Sequence, residues 1–138
     1  MKKLSNWGFS TLTLMILSLV LVLFSGAHAF DAQTSDKNSV RVDVKPIQLA
    51  AGQKVIFQVS LNTHSVDLAY DMEKACILQD NDGKVYQVSK WKGSSPGGHH
   101  RRGTLEFPEL EGNPRSIKLI MKGVADVPER SFEWNLGG

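Results

Sequence analysis

The side chains best suited to chemistry gather in one stretch, residues 91–107, Trp-Lys-Gly-Ser-Ser-Pro-Gly-Gly-His-His-Arg-Arg-Gly-Thr-Leu-Glu-Phe. His99, His100, Arg101 and Arg102 are four adjacent nitrogen-bearing side chains, and another histidine, His64, lies upstream near Asp67 and Asp71. Imidazole suits copper and zinc, and a nearby carboxylate can serve as a ligand or orient a histidine's second nitrogen. His64, His99 and His100 are therefore the candidate ligands for copper or zinc. Without metal the same residues have a structural use. Histidine and arginine donors tie down a long loop by bonding buried carbonyls, or a carboxylate such as Asp67. Arg101 or Arg102 can also stack on Trp91 or Trp134, at roughly 0.5–2 kcal/mol. A third use is recognition of a small anionic ligand or a protein partner. The candidate set for binding or loop clamping is His64, Asp67, Asp71, Trp91, His99, His100, Arg101 and Arg102.

Catalysis fits less well. Ser65, His64 and Asp67 make a triad on paper only, since sequence neighbours rarely converge, and no Gly-x-Ser-x-Gly elbow is present. No phosphate loop or dinucleotide fingerprint occurs, so no organic cofactor is expected. No tight His-x-x-x-His or paired-cysteine spacing strengthens the metal alternative.

The elements that must position these residues read as strands. Pro96-Gly97-Gly98 breaks regular structure, because proline fixes φ and lacks a donor while glycine accepts positive φ. Gly103 then releases the chain into an alternating strand, 104–107, so the four cations are expected on a loop at the mouth of that strand. Upstream, Val40, Val42 and Val44 alternate with Arg41, Asp43 and Lys45, and Val55, Phe57, Val59 and Leu61 repeat the pattern. Residues 66–71 read as an edge strand or as irregular chain. Asp82-Gly83 between two strand-like runs marks a hairpin. The oxygen-rich 80–82 lacks EF-hand spacing. Ile117, Leu119 and Met121, then Phe132, Trp134 and Leu136, complete the pattern. Together these predict an all-β fold: a single antiparallel immunoglobulin-like β-sandwich of seven or eight strands. The predicted core is Val55, Phe57, Val59, Leu105, Phe107, Ile117, Leu119, Phe132 and Trp134. A small barrel is the alternative architecture.

The start reads as a targeting signal. Lys2 and Lys3 precede an apolar run over 12–24, and Ala27-His28-Ala29 follows as a cleavage site. The run is shorter than the roughly 20 residues of a spanning helix. The expected layout is therefore a signal peptide over 1–29, a flexible leader over 30–38, and the sandwich over 39–138. Export to the periplasm or extracellular space follows, with no stable membrane insertion after cleavage. Cleavage removes 29 of 138 residues, leaving 109, and lowers Lys+Arg from 16 to 14, equal to the 14 Asp+Glu. A neutral mature chain is not one built for nucleic acid. Cys76 is the only cysteine, so no internal disulfide forms, and its apolar neighbours Ala75 and Ile77 imply burial.

Three patches carry a resemblance: Thr63-His64-Ser65-Val66-Asp67-Leu68, Gly97-Gly98-His99-His100-Arg101-Arg102-Gly103-Thr104-Leu105-Glu106-Phe107, and Val127-Pro128-Glu129-Arg130-Ser131-Phe132-Glu133-Trp134. Together they resemble a family of small exported bacterial and archaeal domains, largely uncharacterised, which implies no particular activity. The 77–86 segment loosely resembles a hairpin of secreted immunoglobulin-like domains such as the telokin-like group, which bears on fold alone. Periplasmic copper chaperones are also small sandwiches, but Arg101 and Arg102 follow His100 where those proteins often place His-x-Met. The expectation is thus a non-enzymatic exported binding or accessory domain, acting through His64 and 97–102. The alternative is a periplasmic copper- or zinc-binding protein.

Overall fold

Strict alternation of apolar and polar residues puts one face of a strand in the core and the other in water, and the molecule is built on that rule. In a computed structural model, which describes residues 30–137, nine strands form two antiparallel sheets. The first sheet holds β1 (Gln33–Lys37), β2 (Val40–Gln48), β3 (Lys54–Thr63), β6 (Lys90–Gly93) and β7 (His100–Glu109), in the order β1-β2-β3-β7-β6. The second holds β4 (Cys76–Asp80), β5 (Val85–Gln87), β8 (Ser116–Lys122) and β9 (Glu129–Asn135), in the order β5-β4-β8-β9. A single helical turn, α1 (Met72–Ala75), precedes β4, and a short 3-10 turn spans Val124–Asp126. The signal-peptide reading concerns residues 1–29, outside the described residues. Among the described residues no helix is long and apolar enough to cross a membrane.

All nine predicted core residues are buried. Phe57 of β3 meets Phe107 of β7 edge-on, centroids 6.0 Å apart, and Trp134 of β9 at 5.1 Å, so one ring joins the two sheets. The Asp82-Gly83 hairpin forms between β4 and β5, with Gly83 at φ 84°. Asp80 organises it, accepting the Asp82 and Lys84 amides and the Tyr86 hydroxyl.

Two expectations are corrected, and one left open, residues 66–71, is decided. Residues 33–37 are not a loose leader but β1, in register with β2 from Gln33↔Val44 to Lys37↔Val40. Residues 66–71 are irregular and lead into α1. The central strand begins at His100, not Thr104, because β3 extends to Thr63 and offers a ladder partner as far as Asn62↔His100.

Register also fixes the two ends of the sandwich. The turn at 38–39, loop 64–71, loop 94–99 and turn 123–127 share one end. Both termini of the described chain lie at the other, where the Trp134 indole donates to the Asp31 carbonyl at 2.8 Å and the Leu136 amide to the Arg115 carbonyl.

Cys76 is fully buried, and burial pushes its thiol up from 9.0 to about 12. Above pH 9 the unfolded chain releases a proton that the folded chain keeps, so stability is expected to fall as pH rises from about 9 through about 12. At neutral pH a thiol reagent should label Cys76 only as fast as the fold opens. Labelling at the rate of a free thiol would contradict the burial.

Candidate functional site

An arginine in phase with the apolar positions of a strand must bring its guanidinium into the sandwich. Arg101 does so: it pairs with Leu61, shares its face with Leu105 and Phe107, and is 2% exposed. Its Nη1 donates to the carbonyls of Leu68 at 3.1 Å and Tyr70 at 2.5 Å, and its Nη2 to that of Ser94 at 3.1 Å. The guanidinium lies 5.6 Å from the Trp91 ring centroid. Burial pushes its pKa down, opposed by the Asp71 carboxylate. Trp91 lies across the Gly93–Gly103 cross-strand pair and donates its Nε1 to Ser94. A Cβ on Gly103 would sit 2.6 Å from the Gly93 Cα and 2.7 Å from the indole, so only glycine permits this approach.

Around that guanidinium the two loops are zipped together. The Leu68 amide donates to Gly98 and the Gly97 amide to Leu68, both at 2.9 Å, while Asp67 Oδ1 accepts the Gly98 amide at 2.8 Å. Asp71 caps α1, accepting the Glu73 and Lys74 amides. Burial alone would raise the Asp71 carboxyl, but those amides and the Lys74 side chain hold it below the usual carboxylate range.

Arg130 is the counterpart that sequence reasoning missed. Its side chain is 1% exposed, and it donates to the carbonyls of Ser35, Lys37, Val40 and Val124. It therefore binds the β1–β2 hairpin to the β8–β9 connection. Tyr70 joins the two clamps: its carbonyl receives Arg101 and its hydroxyl accepts the Ala125 amide, while the Ala125 carbonyl accepts Asn38 Nδ2. Among the described residues, the non-glycine positions with positive φ are Asn38, Ser39, Ala125 and Asp126, all in these turns. Such backbone persists only where surrounding bonds over-determine it.

The histidines are not brought together as ligands. Among the described residues no group of three His, Cys, Asp or Glu side chains is placed to hold a metal ion. His100 is already in β7, where its Nδ1 lies 3.0 Å from Asn62 Oδ1 on the outer face of the sheet. His99 bonds through its carbonyl, which accepts the Thr63 amide, and its exposed ring has no hydrogen-bond partner among the described residues. Of the expected clamp residues, the structure gives that role to Arg101, Trp91 and Asp67, not to the His99 ring.

What remains exposed at this end is the outer face of the five-stranded sheet. Cross-strand rows run Asp36, Arg41, Asn62, His100 and then Thr34, Asp43, Ser60, Arg102, followed by Lys45, Gln58, Thr104, Lys92. Three open depressions indent it, of about 460, 350 and 110 Å3. His64 and Arg41 line the first, His100 and Arg102 the second, Arg102 and Lys45 the third. Burial alone would raise the Asp43 carboxyl, but Thr34 and Arg41 hold it below the usual range. Lys92 and Lys54 hold the Glu106 carboxyl down in the same way. Arg102, Lys45 and His64 make no side-chain hydrogen bond or ion pair among the described residues. Comparison with protein families, characterised proteins and solved structures finds no match to this chain.

Proposed function

We propose that this is an exported, non-enzymatic binding domain of immunoglobulin-like type, released by removal of residues 1–29, which engages an anionic ligand through the end bearing His64 and 97–102. Strand order supports the fold type. With β1 set aside, the sheets run β2-β3-β7-β6 and β5-β4-β8-β9, matching the ABED and C′CFG orders of immunoglobulin domains. The resemblance to small exported domains accords with it.

One observation carries the binding reading. Arg102 is exposed and unpaired among the described residues, and it lines two adjoining depressions on an end that two buried arginines hold rigid. A free guanidinium on a preorganised surface meets a carboxylate or phosphate with two parallel bonds and little ordering cost. Arg102→Ser should leave the unfolding free energy from denaturant titration within about 0.5 kcal/mol of wild type, the usual range for surface changes. The same variant should lose the rise in melting temperature that millimolar citrate or phosphate gives the wild type. Equal stabilisation of both proteins by these anions would remove the reading.

A further inference from the structure

The depressions on the outer face of the five-stranded sheet are neighbours, and their charge is lopsided. Arg41, Lys45, Lys54, Lys90, Lys92 and Arg102 stand on this face against Asp36, Asp43, Glu106 and Glu109. On the outer face of the four-stranded sheet, Lys118 and Lys122 are matched by Glu129 and Glu133, their cross-strand partners. We propose that the five-stranded face is a docking surface for a linear acidic polysaccharide, one bearing carboxylate or sulfate groups along its length. This rests on the anion-binding reading above and names the ligand class.

Two features favour a polymer of sugars. The first is spacing. Arg102 on β7 and Lys45 on β2 are two strands and one row apart, so about 12 Å separates their backbones. A small anion occupies one depression at a time, whereas a chain with repeated anionic groups engages neighbouring depressions together, the later contacts being intramolecular. The second is what lies between: Ser60, Gln58, Asn62 and Thr104, hydroxyls and amides that both donate and accept, as sugar hydroxyls do. An extended acidic peptide would instead look for a free strand edge. Here the Trp91 amide on the β6 edge is already taken by the Glu73 carboxylate at 2.9 Å.

The test is titration calorimetry of the full chain, as purified after export, with heparin, polygalacturonate, monomeric galacturonate and poly-glutamate. The expected result is at least about tenfold tighter binding, per anionic unit, of one polysaccharide over monomeric galacturonate. Lys45→Ser and Arg102→Ser should each weaken that binding several-fold, and Lys118→Ser on the opposite face should not. Poly-glutamate binding as tightly as either polysaccharide would overturn the assignment, as would unchanged binding in the Lys45 and Arg102 variants. If phosphate still stabilises the protein through Arg102 while no polysaccharide exceeds the monomer, the anion site stands and this inference falls. If no anion acts at all, both fall.

Discussion

Arg101→Ala is expected to destabilise the protein by about 2–4 kcal/mol, a large share of the roughly 5–15 kcal/mol that holds such a domain. Three charge-assisted bonds disappear, each worth about 1.5–3 kcal/mol. Relief from burying a guanidinium offsets part of that loss. The Leu68 carbonyl keeps the Gly97 amide and the Ser94 carbonyl keeps the Trp91 indole, but the Tyr70 carbonyl has no other partner among the described residues. Arg101→Lys should not restore stability, since one ammonium nitrogen cannot stand at both positions from which the two guanidinium nitrogens reach the three carbonyls. Hydrogen exchange at the Leu68, Gly97 and Gly98 amides should quicken before the strands themselves open. Arg101→Met is the sharper control, because it fills the space without charge. A methionine variant as stable as wild type, with loop amides still protected, would mean that packing and not the guanidinium holds the loops.

Phe57→Ala should cost about 3–5 kcal/mol, the usual range for removing a core aromatic. Phe57 is fully buried between Phe107 of its own sheet and Trp134 of the facing one. Truncation therefore opens a cavity where the two layers meet, and neither sheet can move in to fill it without breaking its ladder. Urea denaturation reads the loss as a lower midpoint at constant slope. A midpoint that did not move would contradict the register that places Phe57 opposite Leu105.

The inward faces of β2, β3, β8 and β9 were legible in the sequence because a half-buried strand writes its burial as a period of two. β1 was not, since Gln33, Thr34, Ser35, Asp36 and Lys37 show no apolar alternation. It is held through its backbone, by β2 and by Arg130, and by the Gln33 amide exchanging bonds with the backbone of Glu133. The first half of β7 was hidden for a related reason. His100, Arg101, Arg102 and Gly103 read as a charged loop, yet Arg101 and Gly103 keep step with Leu105 and Phe107. Arg130 likewise keeps step with Phe132 and Trp134. An arginine in phase with a buried stripe was the available signal, and it points to a guanidinium closing the end of a sandwich. The outer-face rows were out of reach, because they depend on which strands are neighbours and in what register. That is a tertiary fact.

Both termini of the described chain leave the sandwich at the end opposite the two clamped arginines. Whatever is joined at either terminus, whether a neighbouring module, a fused reporter or a sensor chip, therefore grips the molecule by its base. The His64 and Arg102 end then points away from the support and stays accessible. Terminal coupling should orient the protein uniformly, whereas coupling through lysines, several of which lie on the five-stranded face, would bury part of that face against the surface.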